Sequence, residues 1–331
     1  MSELRRHYFL DEYCIIAPKR GNRPSDFPKE KSKLGGEAAC PFCPGNEEMT
    51  PPAVAVYTKQ GVSSDGPSRI SAWEMRVFPN VFAAMVPSPG PATTEWQALP
   101  GQGFHEVIVD SPRHRENPAD FSKGHMEKLV QVYKDRYVHY SGNGLVKYVS
   151  IFKNWGKEAG ASLSHSHSQL VTLPILPPMI KRELDAISRA SRCPFCNIVE
   201  QEKMSCRLIS ENEDWILIAP FYSQAPYETW ILPKRHFANL REMHEAEGKS
   251  LAALLMLALG SMRSVLNDPP SNSMIFQLPF GYHLNIRIQP AISKIAGFER
   301  GTGVYINSIA PEYAAAKLSA LAKSDLLAPK S

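Results

Sequence analysis

The sequence holds no apolar run long enough to cross a bilayer. Its longest, Leu251–Leu259, falls well short of the roughly 20 residues a transmembrane helix needs. No hydrophobic signal core follows MSELRRHYFL, so the chain is expected to be cytoplasmic with no membrane partner. Charge of one sign is scarce as well: the net charge of +4 comes from scattered basic residues, without the stripe that marks a nucleic-acid partner. Cysteine is also sparse, six in 331 residues, which excludes a disulfide-stapled scaffold. With 43% hydrophobic residues, the chain instead buries an ordinary core as one large domain or two moderate ones.

What cysteine there is comes in a pattern. Four of the six form two Cys-Pro-Phe-Cys pairs, Cys40/Cys43 and Cys193/Cys196. In a reducing compartment such pairs are metal ligands more often than disulfides. Cys14 and Cys206 have no such partner and read as packing residues.

The features around each pair repeat. After Cys40-Pro-Phe-Cys43 come Trp73-Glu-Met-Arg-Val-Phe, Glu106-Val-Ile-Val ending near His114, a helical stretch over about 121–140, a strand from about Tyr148, and His165. After Cys193-Pro-Phe-Cys196 come Trp215-Ile-Leu-Ile, Thr229-Trp-Ile-Leu-Pro ending near His236, a helix over about 246–266, strand residues 274–278, and His283. His114 and His165 are 51 residues apart, and His236 and His283 are 47 apart. Matched order and interval predict an α+β fold of two tandem units, each an antiparallel sheet with a packed helix. The helices rest on apolar spacing at Met126, Leu129, Val130, Val132 and Tyr133, and at Leu251, Leu254, Leu255 and Ala258. The units divide at 1–180 and 181–331, with Leu173–Pro178 as the passage between them and a short helix over 181–192. Tyr148, Phe152, Phe276 and Phe280 read as core.

Two thiolates from a knuckle and two imidazoles make a tetrahedral Cys2His2 set suited to zinc. One site would use Cys40, Cys43, His114 and His165, the other Cys193, Cys196, His236 and His283. His105 could replace His114, and His244 could replace His236. The bland alternative makes the CPFC pairs structural turns or redox pairs, but a redox motif has no reason to occur twice with matched histidines. Four protein ligands close the zinc shell, so both metals are expected to be structural.

Around His165 the chain reads Gly160-Ala-Ser-Leu-Ser-His-Ser-His-Ser-Gln169. On a strand, His165, His167 and Gln169 would share a face at roughly 6–7 Å spacing, with the serines opposite. One imidazole can then hold a metal while the next attacks phosphorus and the amide steadies a phosphate oxygen. A lone His-x-His is more often metal-binding or packing than nucleophilic. The following glutamine and the zinc-type repeat turn the reading toward chemistry.

On these residues the chain resembles galactose-1-phosphate uridylyltransferases of the histidine-triad superfamily, from about Arg5 to Leu318. The family hallmark His-Pro-His-x-Gln appears as His165-Ser-His167-Ser-Gln169. Serine in place of proline also fits the plant-type ADP-glucose phosphorylase branch. The resemblance implies a nucleotidyltransferase with His167 as nucleophile and Gln169 and Ser162 as phosphate donors. It further implies phosphate contacts from Arg20, Arg23 and Asn154, and a nucleoside cradle at Asn80 and Phe82, where Val81 replaces the aspartate of some members. Lys294, Phe298 and Glu299 correspond to a hexose-binding segment offered to a neighbouring subunit, so a homodimer with shared active sites is implied. In the second repeat, His283-Leu-Asn285-Ile-Arg287 keeps the metal histidine and loses the nucleophile, so that unit is expected to be inactive.

The expected reaction moves a nucleoside monophosphate between a nucleotide sugar and a sugar phosphate through a nucleotidyl-histidine, with no organic cofactor. Uridylyl transfer from UDP-glucose to galactose 1-phosphate leads. ADP-glucose phosphorolysis and dinucleoside polyphosphate phosphorolysis use the same chemistry with other partners. A zinc-stabilised nucleotide-binding protein without turnover is the contrasting reading, and an intact His167 and Gln169 speak against it.

Overall fold

The computed structural model describes residues 2–19, 40–92 and 98–325. Two strands open the chain, β1 (Glu3–Arg6) and β2 (Tyr13–Ile16). The first repeat supplies β3 (Ala55–Thr58), β4 (Gly61–Ser63), β5 (Met75–Pro79), β6 (His105–Val109), helix α1 (Lys123–Ser141), β7 (Tyr148–Trp155) and β8 (His167–Leu173). Helices α2 (Pro178–Arg189) and α3 (Pro194–Glu202) lead into the second. This holds β9 (Leu208–Glu211), β10 (Trp215–Ile218), β11 (Thr229–Pro233), α4 (Glu245–Leu266), β12 (Ser271–Phe276) and β13 (Asn285–Pro290). Helix α5 (Gly297–Thr302), strand β14 (Tyr305–Asn307) and helix α6 (Pro311–Asp325) follow.

The two expected sheets are one. Eleven strands run in the order β4-β3-β5-β6-β8-β7-β12-β13-β11-β10-β9, with every pairing antiparallel. The repeats meet edge to edge where β7 pairs β12, from Trp155 opposite Ser271 to Ile151 opposite Ile275. Pairing removes an open strand edge from each half, which an isolated sheet would have to protect some other way. A three-stranded sheet, β1-β2-β14, sits apart, with β14 parallel to β2, so residues near the start of the chain pair with residues near its end.

Helices α1, α4 and α6 cover one face of the large sheet. Ile108, Ile151, Leu170, Leu217, Ile231, Ile275 and Ile286 point up into Leu129, Val130, Leu251, Leu254, Ala258 and Leu318. Ser122 caps α1 by accepting from His125 N–H, so the helix starts two residues later than the apolar pattern suggests. Helix α4 has the length and hydropathy of a membrane span, yet its Leu251, Leu254, Leu255, Ala258 and Met262 are buried in this layer, as in a core helix. Helix α2 begins at Pro178, three residues before the expected start, because proline suits the first turn of a helix. Cys14 is buried, whereas Cys206 is exposed and does not pack. Of the aromatics expected in the core, Tyr148 and Phe276 are buried, Phe152 is half-buried, and Phe280 lies beyond β12 at 79% exposure.

The opposite face differs between the halves. Under the second repeat it is filled: Ile216, Ile218, Trp230, Leu232 and Phe276 pack against Phe195, Ile198, Ile180 and the hairpin residues Tyr8 and Phe9. His7 lies in this plug at 4% exposure, its Nδ1 accepting from Leu10 N–H at 3.1 Å and its ring edge-on to Tyr222. Burial, helped by the Arg287 guanidinium, pushes its pKa down to about 3. A histidine held neutral in the fold contributes stability above its unfolded pKa, ~6.5, and loses it as pH falls from there toward about 3. The denaturant midpoint of the protein should therefore drop between pH 7.5 and pH 5, and His7→Asn should flatten that slope. Equal slopes in the two proteins would show that His7 carries none of it.

Candidate active site and metal centres

On the first repeat the same face holds a smaller apolar cluster, Val56, Phe78, Val107 and Val109 with Phe42 and Trp73, and beside it several of the predicted residues. Strand register opposes Val109 to His167, Val107 to Gln169, and Phe152 to Gln169 across the other edge. His105, His167, Gln169 and Asn154 therefore share one face, and Ser166, Ser168 and Lys153 the other. Regular pairing of β8 begins only at His167, so Ser162 and Ser164 belong to the preceding loop. Gly156 turns that loop at φ +83°, and a Cβ there would lie 2.8 Å from Pro270 Cβ, so no other residue fits. Ser162 is exposed on it.

The candidate metal ligands lie together in two groups. Cys40, Cys43, His114 and His165 place their ligand atoms within 4.8 Å of one another, as do Cys193, Cys196, His236 and His283. Sulfur-to-Nδ1 distances are 3.2–3.6 Å in the first group and 3.4–3.7 Å in the second. A tetrahedral zinc with ordinary bond lengths sets that edge at about 3.5 Å. His236 and His283 bring two Nδ1 atoms to 3.2 Å, close enough to bind one cation together. His165 Nε2 donates to the Ser111 carbonyl (2.7 Å) and His283 Nε2 to the Pro233 carbonyl (3.1 Å), leaving each Nδ1 bare for a metal. Either group could hold a metal ion, and the donors are consistent with zinc. Neither His105 nor His244 joins them.

His167 is 5% exposed, with Phe42 from the first knuckle against its ring at 5.3 Å. Its Nδ1 donates to the His165 carbonyl at 2.7 Å, which puts the lone pair on Nε2. Burial lowers its pKa and Lys153 adds to this, while the carbonyl bond opposes both. The ring is neutral near pH 7 and able to act as a nucleophile.

Beneath it lies a polar network that no local pattern foretells. Asp110 accepts from Ser168 Oγ (2.9 Å), Ser166 Oγ (3.1 Å) and Lys153 Nζ. Lys153 also reaches Ser166 Oγ (2.7 Å) and the His167 carbonyl (3.3 Å), and Tyr133 closes the set on Ser168 at 2.7 Å. Buried charges that are paired and fully bonded hold the strand in one position. The only hint in the sequence was serine at alternate positions.

The remaining predicted residues are spread out. Asn154 accepts from Asn272 Nδ2 at 2.8 Å. Asn80 lies against His105 and Phe82 is 89% exposed. Lys294 and Phe298 are exposed, and Glu299 accepts from Ala296 N–H at the start of α5, beside β14 and apart from the large sheet. Arg20 and Arg23 lie outside the described residues.

Comparison with known proteins settles the kinship. A family described as galactose-1-phosphate uridyl transferase, N-terminal domain, matches residues 1–177. The chain belongs to this family. As a member it is a nucleotidyltransferase, and a domain of unknown function (DUF4921) overlaps the match at residues 121–327. ADP-glucose phosphorylase of Arabidopsis thaliana is 33% identical over 94% of this chain and 90% of its own. Galactose-1-phosphate uridylyltransferase of Thermotoga maritima is 28% identical over 96% and 98%. Among solved structures, the Arabidopsis ADP-glucose phosphorylase with bound ADP-glucose superposes with a TM-score of 0.81 at 30% identity, covering 96% of this chain and 99% of that one. A uridylyltransferase superposes with 0.76 at 28%, covering 98% and 100%.

The second repeat carries other side chains at the corresponding positions. Asn285 stands where His167 does and repeats its bond, Nδ2 donating to the His283 carbonyl at 3.1 Å. Arg287, in the place of Gln169, pairs with buried Glu183 at 2.7 Å between the rings of Trp230 and Phe276. The ion pair is buried, and removing one partner would cost about 3–5 kcal/mol. Metal analysis of the purified protein should find two equivalents per chain, falling to one in His236→Ala. Two equivalents retained by that variant would exclude His236 as a ligand.

Proposed function

We propose that the chain transfers a nucleoside monophosphate from a nucleotide sugar to a phosphate acceptor through a covalent intermediate on His167. The observation that carries this reading is the bond from His167 Nδ1 to the His165 carbonyl, which leaves the lone pair of the neutral ring on Nε2 as the nucleophile. Nε2 attacks the α-phosphorus, and the bond to the leaving hexose 1-phosphate breaks with its electron pair on that phosphate. Positive charge left on the imidazole is met by the same carbonyl. An acceptor phosphate oxygen, already ionised, then attacks phosphorus and the P–N bond breaks, returning neutral His167. Two in-line displacements give ping-pong kinetics and net retention at phosphorus. Gln169 and Ser162 donate to phosphate oxygens whose charge changes along the path.

Both metals are zinc in this reading, held by the two Cys2His2 sets. With four protein ligands each, they supply orientation rather than Lewis acidity. His165 is thereby fixed two residues from the nucleophile. Arg20 and Arg23 neutralise the leaving phosphate, and Asn80 and Phe82 hold the nucleoside. The exposed segment bearing Lys294, Phe298 and Glu299 serves the site of a second copy, which makes the enzyme a homodimer. Reduced Cys-x2-Cys pairs suit a cytoplasmic setting.

For the partners, uridylyl transfer between UDP-glucose and galactose 1-phosphate is supported by the family match and by uridylyltransferase relatives such as that of Thermotoga maritima. A second reading, adenylyl transfer from ADP-glucose to inorganic phosphate, is favoured by the 33% identity to the Arabidopsis phosphorylase and by Ser166 in place of proline. Intact-protein mass spectrometry after incubation with each nucleotide sugar decides between them. A uridylyl adduct on His167 supports the first and an adenylyl adduct the second, while saturating binding with neither adduct removes the covalent mechanism. His167→Ala should lose more than about 10³-fold in turnover with its metal content unchanged. Loss of metal in that variant would mean the roles of His165 and His167 are exchanged.

A further inference from the structure

We propose that His105 is a positioning residue for Gln169, setting which end of the amide faces the substrate phosphate. This rests on the nucleotidyl-transfer reading above. His105 opens β6 and pairs with Val171, while Val107 pairs with Gln169, so His105 and Gln169 are diagonal neighbours on the face that carries His167. The backbone fixes the tautomer of its ring: Ala84 N–H donates to Nδ1 at 3.1 Å, so Nδ1 is the acceptor and the proton sits on Nε2. That Nε2 lies 2.9 Å from Gln169 Oε1. The Asn80 amide nitrogen also lies 3.1 Å from His105 Nε2; with the proton on Nε2 these two donors meet without a hydrogen bond between them. Asn80 Oδ1 accepts from Phe82 N–H at 2.9 Å.

With Oε1 engaged, the two N–H groups of Gln169 are the end left to meet a phosphoryl oxygen. Rotated by 180°, the amide would turn a carbonyl oxygen toward that negative charge. The two orientations have nearly the same shape, so packing alone does not choose between them. His105 does, and it ties the choice to the 80–84 loop. A role limited to pinning that loop would weaken nucleotide-sugar binding. A role through Gln169 slows the chemical step.

The test is a double-mutant cycle in the full-length enzyme, with His105→Phe, Gln169→Ala and the pair. Formation of the nucleotidyl-histidine is followed in a single turnover with UDP-glucose and with ADP-glucose. His105→Phe is expected to slow that step about 10–100-fold at saturating donor. Adding it to Gln169→Ala should change the rate less than about twofold, because its effect passes through the missing amide. His105→Gln, which keeps a donor for Oε1, should recover most of the rate. Effects that multiply, a change confined to KM, or metal lost from His105→Phe would each overturn the proposal. A wild-type enzyme that forms no adduct would instead overturn the transfer reading.

Discussion

The carbonyl of His165 is where fold and chemistry meet. Its residue is a candidate metal ligand through Nδ1, is anchored to Ser111 through Nε2, and receives the proton of His167 on its backbone oxygen. The four candidate ligands come from the knuckle, the segment after β6 and the segment before β8, so fixing them fixes the start of β8. From there the antiparallel register carries alternation onward to Gln169. A shift of one residue would bury Gln169 and turn Ser168 outward. The Asp110–Lys153–Ser166–Ser168 network prevents such a shift, because each of its members would lose partners in a buried place.

The second half has the same frame with other side chains in it. Both repeats keep a Cys-x2-Cys knuckle, two histidines and the bond from position i+2 to the carbonyl of the second histidine. They differ in what lies over the sheet. Hairpin residues Tyr8 and Phe9, with helices α2 and α3, cover the second repeat, and Arg287 with Glu183 seals it. Among the described residues, the first repeat carries there the smaller cluster of Ala53, Trp73 and the Phe42 knuckle, with the 80–84 loop at its edge.

Much of this was legible in the sequence, for reasons that can be named. The two ligand sets followed from cysteine spacing and matched histidine intervals, because metal geometry tolerates little variation. The strands at Trp215, Thr229 and Tyr148 and the helices α1 and α4 followed from apolar period. Three things were not legible. The joining of two sheets into one depends on the edges of β7 and β12, whose pairing leaves no mark on local pattern. The buried Asp110 network draws on residues from four separate segments that look ordinary one at a time. His105 looked like a spare metal ligand, and only the register of β6 against β8 set it beside Gln169.

The seam between β7 and β12 also bears on how substrates come and go. Five backbone-paired positions join the halves as one stiff beam, with no joint about which they could swing apart. The plug over the second repeat shuts the far bay of that beam. In the covalent reading proposed above, donor and acceptor would therefore approach His167 from the same side of that beam, one after the other.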